Sequence, residues 1–105
     1  MTKIVIGTTP TITYRFKTVS VSEISAAILT IRDRGSDIIR KTLEDAVVNV
    51  TDNTLSWTLT QQNTLDIGVK SASIMLNWKL NDGTRGASKE EEITGAPNHI
   101  REVMT

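Results

Sequence analysis

Apolar and polar residues alternate with a period of two along much of the chain. Across Thr11 to Lys17, Ile12, Tyr14 and Phe16 point one way while Thr13 and Arg15 point the other. That is the pattern of a half-buried strand. A shorter strand, Lys3 to Ile6, precedes it and is closed by Gly7-Thr8-Thr9-Pro10. Ala27, Leu29 and Ile31 form the inward row of a third strand, which ends at the turn residues Asp33-Arg34-Gly35. Leu55, Trp57 and Leu59 repeat the pattern after Asp52-Asn53, a pair that tolerates the left-handed conformation of a tight hairpin after Val48 and Val50. The longest run, Val69 to Leu80, keeps Ala72, Ile74, Leu76, Trp78 and Leu80 in phase. Asn81-Asp82-Gly83, the strongest hairpin signal in the chain, then turns it back into a strand from Thr84 to Ile93.

Three stretches break the alternation. Ser20 and Glu23 have capping-box spacing for one helical turn, although a short turn crossing between sheets is the favoured reading of Val19 to Ile24. Residues 36–47 read two ways. Ile39, Leu43 and Val47 fall at helical spacing, whereas Ile38 to Thr42 also fits a strand that hairpins through Leu43-Glu44-Asp45 into Ala46 to Thr51. Strands are the favoured reading, because an isolated helix conflicts with its all-β surroundings. Thr60 to Leu65 is a polar break able to cap a single turn before Asp66-Ile67-Gly68. Gly95-Ala96-Pro97-Asn98 stops the last strand, and Ile100, Val103 and Met104 supply one apolar edge of a terminal helix or strand. The expected fold is all-β: an antiparallel β-sandwich of seven or eight strands, with immunoglobulin-like topology favoured on size alone, as a single domain over residues 1–105.

Composition supports this reading and narrows the function. Thr, Ile and Val make up about a third of the 105 residues, and their branched Cβ atoms suit a pleated sheet. The chain has no cysteine, so a disulfide framework, a thiolate zinc site and a cysteine nucleophile are all excluded. Twelve basic and twelve acidic side chains balance, which argues against a general basic surface for nucleic acid or anionic membrane. The opening Met-Thr-Lys-Ile-Val-Ile-Gly has three consecutive apolar residues, too few for a secretory core, and no apolar run approaches a membrane span. Cytoplasmic synthesis without a signal peptide is expected.

The residues with chemical potential do not assemble into a site. His99, the only imidazole, lies in a polar terminal segment without a spaced partner. Glu90-Glu91-Glu92 is the one acidic run. On a strand, Glu90 and Glu92 share a face and Glu91 takes the other, which reads as a charged edge that discourages sheet association. Gly83-Thr84-Arg85-Gly86 opens no helix, so it is turn chemistry and not a phosphate cradle. Asn49-Val50-Thr51 matches a glycosylation pattern by form alone. Trp57 and Trp78 are each in phase with leucines, which predicts burial over a sugar-binding platform. No catalytic, cofactor-binding or metal-ligating residue is assigned, no cofactor is expected, and the protein is not expected to be an enzyme.

Three segments carry a resemblance. Gly7-Thr8-Thr9-Pro10-Thr11-Ile12-Thr13, Leu59-Thr60-Gln61-Gln62-Asn63-Thr64-Leu65, and Asp82-Gly83 followed by Ala87-Ser88 come in this order. The series resembles a family of small proteins, about a hundred residues long, encoded by phages and prophages of Gram-positive bacteria. It covers the chain from about residue 5 to residue 95. Family members commonly finish with an apolar strand, whereas here Pro97-Asn98-His99-Ile100 intervenes. The resemblance implies a small β-sandwich similar to the N-terminal domains of phage baseplate and tail-fibre proteins, with no catalytic residues. The implied role is a structural component of the virion, in the tail or baseplate region, assembled in the bacterial cytoplasm. Its partners would be copies of itself, as a homo-oligomer, or other phage tail proteins, with no nucleic acid and no membrane. The edge strands expected to make those contacts are Lys3 to Ile6 and Thr84 to Ile93. A neutral charge balance fits packing against identical copies. The alternative is a carbohydrate-binding or host-recognition module of the same architecture.

Overall fold

The computed structural model describes residues 2–98. Its elements are β1 (Thr2–Val5), β2 (Thr11–Arg15), β3 (Ile24–Asp33), β4 (Ser36–Thr42), β5 (Val47–Asn49), β6 (Thr54–Thr58), α1 (Gln61–Ile67), β7 (Ser71–Leu80), β8 (Arg85–Ala87) and β9 (Glu91–Ala96). They form two sheets. The large sheet has six strands in the order β1-β9-β7-β3-β4 with β8 also on β7, and the small sheet is β2-β6-β5. Every pairing is antiparallel except β1 on β9, which is parallel.

This is an all-β sandwich with immunoglobulin-like strand order. β2, β6 and β5 occupy the places of strands B, E and D, while β3, β4, β7 and β8–β9 occupy those of C, C′, F and G. The first strand lies on the large sheet beside the last. The disulfide of antibody domains has no counterpart in a chain without cysteine.

Among the described residues there are nine strands, because the expected strand from Thr84 to Ile93 is two. Between the pairs Asn77↔Ala87 and Ile74↔Glu91, Met75 and Leu76 face three residues, Ser88 to Glu90. The extra residue is a bulge. Ser88 repairs the ladder there: its hydroxyl accepts the Leu76 N–H at 2.9 Å, and its own N–H donates to the Leu76 carbonyl at 2.8 Å.

The inner faces supply the core. Ala27, Leu29 and Ile31 of β3, Ile39 of β4, and Ala72, Ile74 and Leu76 of β7 face Leu55 and Trp57 of β6, with Leu59 and Ile67 closing one end. Ile12, Tyr14 and Phe16 pack against this cluster from the β2 side. Tyr14 meets Trp57 edge-on, with ring centroids 6.4 Å apart, and Phe16 meets Trp78 in the same manner at 5.1 Å. Trp57 is 1% exposed, and its indole N–H donates to the Thr42 carbonyl at 2.9 Å, which satisfies its one polar atom inside the core.

Connections that leave a sheet are built from polar caps. Val21–Glu23 is a 3-10 turn carrying the chain from the small sheet to the large one, so the short helical turn and the crossing expected there coincide. Strands do form across 36–42, but Leu43–Asp45 is not their hairpin. It is a 3-10 turn that crosses between sheets, since β4 and β5 belong to different ones. The Asp45 carboxylate accepts the Thr42 N–H at 3.0 Å and so anchors the turn, while Leu43 packs on the core. The single turn expected near Thr60 extends to the seven-residue helix α1. Thr60 and Asn63 cap it reciprocally, each side chain accepting the other's N–H at 3.0 Å. Thr64, wholly buried on α1, accepts the Gly7 N–H at 2.8 Å and lies 2.9 Å from the Thr8 carbonyl, tying the helix to the β1–β2 connection.

Gly95 corrects another expectation. Gly95 and Ala96 do not stop the last strand but belong to β9, paired with Ile4 and Val5. His99, Ile100, Val103 and Met104 lie outside the described residues.

Candidate interaction surface

The outward residues of the large sheet fall into rows fixed by strand register. Ser73 of β7 pairs with Glu92 on one side and Arg32 on the other. Thr30 pairs with Met75 and with Arg40, and Asn77 pairs with Ile28 and Ala87. Directly paired residues share a face, and Ser73 lies between the buried Ala72 and Ile74, so these rows point away from the core. A central strip of Ser71, Ser73, Met75 and Asn77 carries no charge. Glu90 and Glu92 flank it on one side, and on the other stand Arg32 of β3, ion-paired with Asp37 of β4, and Arg40 of β4 beyond Thr30.

A depression of about 680 Å³ opens over Ser71 and Ser73, bounded by Arg32, Arg34 and Lys70 across from Glu90 and Glu92. Two of these cations have partners within the chain: Arg32 pairs with Asp37, and Lys70 pairs with Asp33 at 2.8 Å. The Lys70 ammonium holds the Asp33 carboxyl below the usual carboxylate range.

β9 is interior to the large sheet over Ile93 to Ala96, where β1 pairs along its outer side. Among the described residues no strand pairs along the outer side of Glu91 and Glu92, so the acidic run stands at an open margin of the sheet, as the sequence suggests. Glu91 pairs with the inward-facing Ile74 and reaches the rim beside Tyr14. There, burial pushes the Tyr14 hydroxyl above its ordinary value, a hydrogen bond with Ser88 opposes that rise, and the Glu91 charge adds to it.

The free edges are therefore β1, β4, β8 and the start of β9 at Glu91 and Glu92 on the large sheet, and β2 and β5 on the small one. The expected contact strand Lys3 to Ile6 is an edge. The expected Thr84 to Ile93 edge survives in β8 and at Glu91 and Glu92. The edge missed from sequence is β5, where Val47 and Val48 are 68% and 45% exposed, with Val50 in the turn just beyond it 64% exposed. Three valines in four residues were its available signal, masked by their resemblance to an ordinary half-buried strand.

The other candidates have structural occupations. Gly83, with φ of 89°, completes the β7–β8 turn, and the Asp82 carboxylate accepts the Thr84 N–H at 2.8 Å. Gly86 lies against Trp78, where an added Cβ would come within 2.5 Å of the indole ring. Asn49 accepts the Asp52 N–H at 3.0 Å and donates to its carboxylate at 3.0 Å, so its amide belongs to the turn. Among the described residues, no group of three His, Cys, Asp or Glu side chains is placed to hold a metal, and no helix is long and apolar enough to cross a membrane. No protein-family model, curated protein or solved structure matches the chain.

Proposed function

We propose that this protein is a non-enzymatic assembly module that works through protein–protein contacts, as a virion component of the tail or baseplate region of a phage or prophage. The observation that carries the contact role is β5. An edge strand with open backbone groups and two exposed valines, followed by a third in the turn, is a template for another chain. Assignment to the virion, and to assembly in the bacterial cytoplasm, rests on the resemblance of the Gly-Thr-Thr-Pro opening, the Leu-Thr-Gln centre and the Asp-Gly hairpin to small phage-encoded proteins.

A carbohydrate-binding module would need an exposed aromatic platform. The burial of Trp57 removes one of the two tryptophans from such a surface, and Trp78 is committed to Phe16 and Gly86. Deleting the gene from its phage or prophage tests the assembly role. Electron microscopy of the induced particles should show incomplete tails or baseplates with loss of infectivity. Complete, infective particles would refute it.

A further inference from the structure

The side of the sandwich between β1 and β2 is open. The large sheet is five strands across from β4 to β1, whereas the small sheet is three, from β5 to β2. On this side the surplus is β9 and β1. A slot of about 330 Å³ opens there, between Ile12 and Tyr14 of β2 and Ile4, Ile74 and Ile93 of the large sheet. Ile12 and Tyr14 face inward yet stay half-buried, while their β6 register partners Trp57 and Leu55 are 1% and 0% exposed. What β2 lacks is a neighbour on its outer side. We propose that this slot takes one extended strand of a partner protein, paired along β2, with apolar residues at every second position and a Lys or Arg beside Glu91. The inference goes beyond the contact role given to the β5 edge and concerns a separate site.

Backbone geometry makes β2 a ready edge. The Leu59 N–H donates to the Pro10 carbonyl at 2.9 Å, and the Phe16 N–H donates to the Asn53 carbonyl at 3.0 Å. Bonding direction alternates along an antiparallel strand, so Ile12 and Tyr14 also bond toward β6. Thr11, Thr13 and Arg15 then each turn an N–H and a C=O to the open side. The Thr11 and Thr13 hydroxyls lie 3.0 Å from those of Thr58 and Ser56, so both side chains lean toward β6 and leave this edge clear.

Shape and charge choose the occupant. A second copy cannot bring its own β2 alongside, because the two-fold relating the copies would set its β1 into the space this β1 already fills. A single strand has no such overhang. Its inward residues lie over Ile4, Ile12 and Ile93, which calls for apolar side chains at alternate positions. At the Tyr14 end, Glu91 lines the slot and has no ion-pair partner among the described residues. Glu90 and Glu92 flank it in the chain, while Arg15 belongs to the outer row with Thr11 and Thr13. A cation on the incoming strand at that end answers the acidic run.

A synthetic peptide, acetyl-Lys-Thr-Val-Thr-Val-Thr-amide, tests this by NMR on the isotope-labelled full chain. Laid antiparallel to β2, its valines sit opposite Tyr14 and Ile12 and its lysine falls at the Glu91 end. Binding with a Kd below about 1 mM should shift the amides of Thr11, Thr13 and Arg15 and slow their exchange. Methylating the three threonine amides, which face β2 in this register, should weaken binding by about tenfold or more. Methylating the two valine amides, which face away, should not. Glu91→Lys, checked for folding by thermal unfolding, should weaken binding by roughly fivefold, and replacing the peptide's lysine by glutamate should restore it. Absence of shifts at about 1 mM peptide overturns the inference. So does equal binding of the two methylated peptides, or indifference to Glu91→Lys. Shifts confined to β5 overturn it while leaving the contact reading intact, and the gene deletion decides the particle-assembly role separately.

Discussion

The carbonyl of Gly68 lies in the space where Gly95 would carry a Cβ. Gly68 ends α1 with φ of 68° and ψ of −174°, a region reserved in practice for glycine, and the Gly95 N–H donates to the Lys70 carbonyl at 3.0 Å. Helix end and last strand therefore meet backbone to backbone, and each glycine is required for a different reason: conformation at Gly68, space at Gly95.

Gly95→Ala should accordingly destabilise the fold by about 3 kcal/mol or more, the upper end of ordinary overpacking, because neither backbone can move without breaking a pairing. Gly68→Ala should cost about 1–3 kcal/mol from strain alone. Urea midpoints measure both, and the account requires Gly95→Ala to be the more damaging.

Asn53 holds the small sheet's hairpin to the crossing that follows β2. Its backbone is left-handed, with φ of 57°. Its amide donates to the carbonyls of Phe16 and Val19 at 2.7 and 2.8 Å, and its side-chain oxygen accepts the Val21 N–H at 2.8 Å. Asn53→Ala should lose about 2–4 kcal/mol, combining three hydrogen bonds with the left-handed penalty. Asn53→Gly, free of that penalty, should lose less. Equal losses would show that the conformation carries none of the effect.

The two tryptophans should be distinguishable by fluorescence in single-tryptophan proteins. With Trp78→Phe, the remaining Trp57 should emit in the blue and resist acrylamide. With Trp57→Phe, the half-buried Trp78 should be quenched more readily. The reverse order would contradict the packing described for both. Trp57→Ala should cost about 3–5 kcal/mol, and it also strands the Thr42 carbonyl.

Asp33 gives the acid limb a defined sign. Its carboxyl is held low by Lys70, whereas the unfolded chain titrates it at the ordinary value. The contribution of the pair is thus present above about pH 4 and disappears as the pH falls through the depressed value. Asp33→Asn should flatten the loss of stability in that window, measured by denaturant unfolding at a series of acid pH values. An unchanged slope would contradict the ion pair.

Local patterning made much of this architecture legible. Period-two alternation exposed the inward rows Ile12–Tyr14–Phe16 and Leu55–Trp57–Leu59, and Asn81-Asp82-Gly83 marked its hairpin because Gly83 alone can take the required positive φ. What sequence could not display was long-range. The parallel pairing of β1 with β9 leaves no local trace, so nothing in the sequence shows that Ile93 to Ala96 is interior while Glu91 and Glu92 stay at the margin. Gly95 looked like a strand stop because proximity to Gly68 is invisible in one dimension. The polar stretch Leu43-Glu44-Asp45 has hairpin chemistry, yet its anchoring to Thr42 turns the chain toward the other sheet. The row Glu92–Ser73–Arg32 depends on register across three strands and could be found only in the folded chain.

The central claim is that this chain is a stoichiometric part of a particle built through protein contacts. Its most direct test is quantitative mass spectrometry of purified, DNase-treated phage particles from an induced host. The account predicts the chain in those particles at a fixed copy number relative to tail proteins. Recovery of the chain only in the soluble lysate, with none in purified particles, would contradict it.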